Sequence, residues 1–122
     1  MTKKIGIIGL GYVGIQLAIA LGRDHETIGF DLDKNKIDAY RSGVDRTGEL
    51  TAAQLSDPKR LRYTSSAEDL SGCDIFIVAV PTPVDKENQP DFSPLISASN
   101  TVGSVLDKGG IVIYESTVYP GA

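Results

Sequence analysis

Three glycines, Gly9, Gly11 and Gly14, directly follow an apolar segment and form the pattern G-x-G-x-x-G. After a β-strand, this spacing is typical of a turn that binds the pyrophosphate of a dinucleotide. Gly9 would allow the tight turn, Gly11 would let a phosphate approach the backbone, and Gly14 would let the next helix pack against the strand. The phosphate would then lie on the unpaired N–H groups and the positive dipole end of that helix.

An acidic residue further along the chain strengthens this interpretation. A chain with 13 glycines can match the pattern by chance, so a turn that binds nothing is the alternative. Asp31 lies 22 residues after Gly9 (31 − 9), close to the offset of about 20 expected for the residue that binds an adenosine ribose. Its charge would repel a 2′-phosphate and favours NAD over NADP.

Two alternatives remain open in the segment that contains Asp31. Asp31 could be a solvated turn residue or the N-cap of the next helix, a role equally open to Asp33. Lys36 could reach the ribose or a phosphate of the dinucleotide, or it could simply face solvent.

Sequence patterns typical of strands and of helices alternate along the chain, and the elements that they predict would position these residues. Predicted strands cover 4–8, 27–30, 60–64, 74–80 and 111–114, and predicted helices cover 12–22, 33–41, 66–70 and 92–106, with one helical turn near 51–55. This alternation predicts an α/β fold, a Rossmann-type doubly wound parallel sheet in three α/β/α layers. The usual fold has six strands in the order 3-2-1-4-5-6. Since five are visible, residues 1–122 are expected to form one domain that is truncated after the fifth strand, or a short variant of this fold.

Local signals add detail to two of these elements. The nearly unbroken apolar run at 74–80 suits a central strand that is buried on both faces. Ser65 or Ser66 could cap the helix predicted at 66–70.

Four loops with unusual residues follow strands one, two, four and five, at 9–11, 31–33, 81–83 and 115–117. The carboxyl ends of parallel strands share one edge of the sheet, and ligands bind there at the switch point of strand order. Pro81 and Pro83 would hold the fourth loop in one shape, so that the Thr82 hydroxyl faces the ligand or the loop is simply stiffened. Cys73 and His25 are predicted at the opposite edge, so neither a thiol nucleophile nor a metal site is expected.

Composition limits the class of protein. One cysteine excludes an internal disulfide, and the formal net charge of −4 argues against nonspecific nucleic-acid binding. The N-terminus lacks the apolar run of a signal peptide, and no apolar stretch is long enough to span a bilayer. These features predict a soluble cytoplasmic protein with neither nucleic acid nor membrane as a partner.

Four motifs together resemble the N-terminal NAD-binding domain of the UDP-glucose/GDP-mannose dehydrogenase family. They are G-L-G-Y-V-G at 9–14, D-L-D-K-N-K-I at 31–37, V-P-T-P at 80–83 and E-S-T-V-Y-P-G at 115–121. The segments 43–50 and 81–95 are most similar to the branch of 6-dehydrogenases that oxidises UDP-N-acetylglucosamine or UDP-N-acetylgalactosamine. UDP-glucose and UDP-N-acetylmannosamine are alternative substrates within the same family.

The resemblance implies a reaction and a set of site residues. Such enzymes oxidise the C6 alcohol of a UDP-sugar to a carboxylate with two NAD⁺, for surface polysaccharide precursors, and the full-length protein would be a homodimer or larger homo-oligomer. The family's catalytic cysteine, lysine and asparagine have no match here, so this chain alone is expected to be inactive. By resemblance, the cofactor-binding residues are Gly9, Gly11, Tyr12, Val13, Gly14, Asp31, Lys36, Thr82 and Thr117, and the residues near the reacting centre are Glu115 and Thr117. A structural role for Glu115 is equally open.

Two other classes of protein share the glycine pattern. One is a stand-alone regulatory nucleotide-binding module, like the ligand-sensing domains of potassium transport systems. The other is a different Rossmann dehydrogenase, acting on hydroxyacyl thioesters or sugar acids. Neither has a reason to carry V-P-T-P or E-S-T-V-Y-P-G, and both are therefore disfavoured.

Overall fold

Five strands and four α-helices alternate in the computed structural model, which describes residues 3–45, 48, 50–80, 93–106 and 110–115. In chain order they are β1 (Ile5–Ile8), α1 (Tyr12–Leu21), β2 (Thr27–Phe30), α2 (Lys34–Arg41), α3 (Ala52–Ser56), β3 (Leu61–Thr64), a 3-10 turn (Ala67–Leu70), β4 (Ile75–Val78), α4 (Ser93–Val105) and β5 (Ile111–Tyr114). All of these bounds lie within two residues of the prediction.

The five strands form one sheet in the order β3-β2-β1-β4-β5, and every neighbouring pair is parallel. Ile5 of β1 pairs with Thr27 on one side and with Ile75 on the other. The strand order therefore reverses between β1 and β4, which is where this fold opens its ligand crevice. The predicted α/β class and Rossmann-type topology are confirmed.

Alternate residues of the strands enter two separate cores. Ile5 and Ile7 of β1 face a cluster with α1, α2 and Leu55 of α3. Ile8 of β1 faces the other cluster, with Phe76 of β4, the 3-10 turn and α4. The period-2 alternation of a strand sends its side chains to opposite faces, so the sheet lies between two helical layers.

The strand predicted at 74–80 was longer than the observed β4, and the prediction that it is buried on both faces is correct for one face only. The strand ends at Val78, and its side chains at Phe76 and Val78 are fully buried. Ile75 and Ile77 are only half-buried, since α1 and α2 pack over β1, β2 and β3 on that face of the sheet. The same face continues onto β5, where Ile111 is 55% exposed.

The start of α2 decides between two aspartates. The Asp33 carboxylate accepts hydrogen bonds from the N–H groups of Asn35 and Lys36, at 3.0 and 3.2 Å. Asp33 is therefore the N-cap of α2, which leaves Asp31 outside the helix with a carboxylate that serves another purpose.

The cap predicted for the fourth helical segment is wrong. Ser66 stands at the N-cap position of the 3-10 turn, but its side chain makes no capping hydrogen bond. The Thr64 hydroxyl instead accepts from the N–H of Ser66 itself and donates to the Asp69 carboxylate, so it fixes the chain just before the turn. Across the described part of the chain, no helix has both the length and the apolar character needed to cross a membrane.

Candidate functional site

A cleft of about 560 Å³ opens at the carboxyl edge of the sheet, over the point where β1 and β4 meet. The loops after four strands contribute to it, through Gly11 after β1, Asp31 after β2, Val80 after β4 and Glu115 after β5. Helix α4 forms another wall. A volume of this size is typical of small-molecule and cofactor sites.

The three glycines of the first loop have different structural surroundings. Gly9 has a φ of +97°, a conformation that disfavours side chains. A Cβ on Gly14 would lie 1.7 Å from the carbonyl oxygen of Gly9, so the helix could not pack this close to the turn. A Cβ on Gly11 would meet no atom within 4 Å. The fold thus requires Gly9 and Gly14, whereas the space at Gly11 is used by nothing in the described chain.

Backbone donors lie beside that space. The N–H of Gly11 pairs with no acceptor among the residues that the structure describes. Tyr12 and Val13 begin α1, where the first N–H groups have no partner within the helix. The first turn of α1 carries no acidic residue to offset its positive dipole end. The loop can therefore accept an anionic group such as a phosphate.

The Asp31 carboxylate is held in place by three donors. Its Oδ2 accepts from the Leu10 N–H at 2.9 Å, and its Oδ1 accepts from the Asp33 N–H at 2.9 Å. The ammonium group of Lys36 lies 3.2 Å from Oδ2. The side chain of Asp31 is 15% exposed and that of Lys36 is 29% exposed. A carboxylate has about four acceptor sites, so lone pairs remain for the hydroxyl groups of a ligand.

The cleft has further walls that the motifs did not predict. Leu32, next to Asp31, is 68% exposed and offers an apolar surface to a ligand. Ser97 and Thr101 of α4 line the opposite side. The sequence could have indicated Leu32 as a ligand contact. An apolar residue in a turn at the ligand-binding edge of a sheet cannot pack into the core, so its exposed surface is available to a ligand.

Glu115 is exposed, lines the cleft, and donates its backbone N–H to the Val78 carbonyl at 2.8 Å. The other two residues predicted for this side, Thr82 and Thr117, lie outside the described residues, as do Pro81 and Pro83.

Cys73 lies away from the cleft and is buried, with 2% of its surface exposed. Desolvation by burial raises the pKa of its thiol to about 11; the charges of Asp74 and Glu26 also raise it, and that of Lys4 lowers it. His25 is exposed in the turn after α1. The described residues contain no group of three histidine, cysteine, aspartate or glutamate side chains that could hold a metal ion.

We expect the Cys73 thiol to react poorly with a disulfide reagent at pH 8. Only a small fraction is thiolate at that pH, and the sulfur is covered, so the rate should be about tenfold or more below that of the same chain in urea. Timed labelling with a chromogenic aromatic disulfide measures both rates. Equal rates would contradict the burial of this side chain.

Comparison with known proteins identifies the family of this chain. Residues 3–122 match the family model of the UDP-glucose/GDP-mannose dehydrogenase family, NAD binding domain. The chain belongs to that family. NAD is therefore the cofactor of this type of domain, and the resemblance predicted from the four motifs is confirmed.

Relatives within the UDP-glucose/GDP-mannose dehydrogenase family agree in sequence and in structure. The chain is 50% identical over 119 residues to a UDP-N-acetyl-D-glucosamine 6-dehydrogenase from Pseudomonas aeruginosa, covering 98% of this chain and 28% of that protein. It is 49% identical to Protein CapL from Staphylococcus aureus over 122 residues, 28% of that protein. A solved UDP-D-ManNAc dehydrogenase from Pyrococcus horikoshii superposes with a TM-score of 0.87 at 35% identity, covering 97% of this chain and 29% of that one. The chain thus spans less than a third of the length of these relatives.

Proposed function

We propose that residues 1–122 form the NAD-binding domain of a longer UDP-sugar 6-dehydrogenase, and that the cleft between β1 and β4 binds NAD. The observation that carries this proposal is the contrast within the glycine loop. The chain leaves open space at Gly11, beside the start of α1 and an N–H group with no acceptor among the described residues, and packing there does not require a glycine.

Each described residue of the cleft has a proposed role. Gly11, with the backbone N–H groups of Tyr12 and Val13, binds the pyrophosphate. Asp31 accepts hydrogen bonds from the adenosine ribose, and its charge disfavours a 2′-phosphate. Lys36 holds the Asp31 carboxylate in position and adds a positive charge near the phosphates. Bound NAD⁺ supplies a hydride acceptor, and the chain's part is to bind and orient it.

The proposed substrate is a UDP-N-acetylhexosamine, oxidised at C6 to a carboxylate with two NAD⁺ for surface polysaccharide precursors. Support comes from the level of identity, which is 49–50% to proteins named UDP-N-acetyl-D-glucosamine 6-dehydrogenase and 35% to one named UDP-N-acetyl-D-mannosamine dehydrogenase. Thr82, Thr117 and Glu115 are proposed for the nicotinamide side of the cleft. The longer enzyme is proposed to be a cytoplasmic homo-oligomer.

We expect the 122-residue chain to bind NAD with a dissociation constant below about 1 mM, equivalent to about −4 kcal/mol or better. Isothermal titration calorimetry measures this, with NADP as the matched control, because its 2′-phosphate would meet the Asp31 carboxylate. Absence of heat with NAD at millimolar concentration would contradict the proposed cofactor role of the cleft.

The substrate proposal requires the longer protein. Its formation of NADH should be fastest with UDP-N-acetylglucosamine or UDP-N-acetylgalactosamine, with UDP-N-acetylmannosamine and UDP-glucose as comparisons. The 122-residue chain should show no turnover with any of them. Oxidation of UDP-glucose alone would exclude the proposed substrate class while leaving the cofactor role intact.

A further inference from the structure

Leu10, the residue between Gly9 and Gly11, has both of its backbone polar groups held by side chains from other elements. The Asp31 carboxylate accepts from its N–H at 2.9 Å. The hydroxyl of Tyr40, on α2, donates to its carbonyl oxygen at 3.0 Å, in a bond that is buried. The side chain of Leu10 is fully buried, against Gly29 of β2. The centre of the glycine loop is thus fixed at three points.

The carbonyl of Leu10 belongs to the same peptide unit as the N–H of Gly11. A trans peptide is planar, so its C=O and N–H point in opposite directions and cannot turn independently. The hydrogen bond from Tyr40 on one side therefore sets the direction of the Gly11 N–H on the other. This N–H lies at the cleft and has no acceptor among the described residues.

We propose that Tyr40 is a positioning residue for cofactor binding, whose hydroxyl orients the Leu10–Gly11 peptide so that the Gly11 N–H meets the pyrophosphate. This inference rests on the proposed NAD site in the cleft. Tyr40 itself acts from behind the loop: it is 6% exposed and belongs to the core on the α1 and α2 side of the sheet.

Packing alone does not require a phenol at this position. Tyr40 lies three residues after Ile37 on the buried face of α2, where the ring of a phenylalanine would occupy almost the same space. The ring of Tyr40 packs against that of Tyr63, with centroids 5.6 Å apart. What phenylalanine lacks is the hydroxyl, and without it the buried carbonyl of Leu10 would lose this donor. The hydroxyl is therefore the part of Tyr40 that matters for the loop.

The test replaces Tyr40 by Phe, which keeps the ring and removes the hydroxyl. Loss of a buried hydrogen bond that also frees the peptide should raise the dissociation constant for NAD about tenfold, or about 1.4 kcal/mol. The matched control is Tyr63→Phe, which removes the other hydroxyl of the same ring pair, bonded to the Leu55 carbonyl at 3.3 Å and not to the loop. We expect the control to bind NAD within about twofold of the parent chain.

Both variants are titrated by calorimetry at a temperature where circular dichroism shows each to be folded. Unchanged affinity in Tyr40→Phe, or an equal loss in both variants, would overturn the proposal. If the parent chain did not bind NAD, the proposed function would fail, and the positioning would still be tested in the free chain. There, the ¹⁵N order parameter of Gly11 should fall from a rigid value of about 0.85 towards about 0.6 in Tyr40→Phe and stay unchanged in Tyr63→Phe. An unchanged order parameter in Tyr40→Phe would also refute it.

Discussion

Replacement of Gly14 by alanine should strongly destabilise the fold, whereas replacement of Gly11 by alanine should leave the fold intact and strongly weaken NAD binding. At Gly14 the added Cβ would lie 1.7 Å from the Gly9 carbonyl oxygen, which is backbone and cannot rotate away. Relief requires α1 to move off the β1 turn, and we expect a loss of more than about 3 kcal/mol of stability.

At Gly11 the added methyl group meets nothing within 4 Å, and the φ of −73° suits alanine. Its stability should therefore stay within about 0.5 kcal/mol of the parent chain. The methyl group occupies the space proposed for the pyrophosphate, so the dissociation constant for NAD should rise at least about a hundredfold. Two substitutions of the same kind, three residues apart, thus separate folding from binding.

Urea denaturation followed by circular dichroism measures the stability of both variants, and calorimetry measures the NAD affinity of Gly11→Ala. A well-folded Gly14→Ala chain would contradict the close packing of α1 on the turn. Normal NAD affinity in Gly11→Ala would show that the pyrophosphate does not lie against this residue.

Replacement of Asp31 by alanine should lower NAD affinity about a hundredfold and remove the preference for NAD over NADP. Hydrogen bonds to a charged group contribute about 1.5–3 kcal/mol, and this carboxylate would supply them to the ribose. The same substitution frees the Leu10 N–H from its acceptor and Lys36 from its ion pair. Lys36 would then be available to a 2′-phosphate, so NADP should lose less affinity than NAD.

The matched control is Asp33→Asn, two residues along the same turn. It also removes one negative charge, and asparagine serves as an N-cap about as well as aspartate. Calorimetry with both dinucleotides on both variants gives the comparison. Equal losses in the two variants would indicate a general charge effect instead of a ribose contact at Asp31, and a retained preference for NAD in Asp31→Ala would exclude the proposed role in discrimination.

The predictions made from the sequence were correct for some elements and wrong for others. The apolar segments and the glycine pattern predicted β1, α1 and the parallel order, because the periods of burial and the turn residues are local properties. The prediction failed for the length and burial of β4, since coverage of Ile75 and Ile77 depends on which helices pack on that face. It also failed for the cap of the 3-10 turn, where the Ser66 side chain makes no capping bond and the Thr64 hydroxyl instead links the Ser66 N–H to the Asp69 carboxylate.

By itself the sequence determined the fold class, the family, the type of cofactor and the loops that meet at the cleft, because parallel strands bring their carboxyl ends to one edge. Only the tertiary structure decided that Asp33, and not Asp31, caps α2, and that among the three glycines only Gly11 leaves room for an added Cβ. It also joined Tyr40 to the Leu10 carbonyl across 30 residues. The physical reason is distance along the chain. The conformation of a turn depends on neighbouring residues, so a motif can predict it. The direction of a single N–H group depends on side chains that are distant in sequence and that only the folded structure brings close.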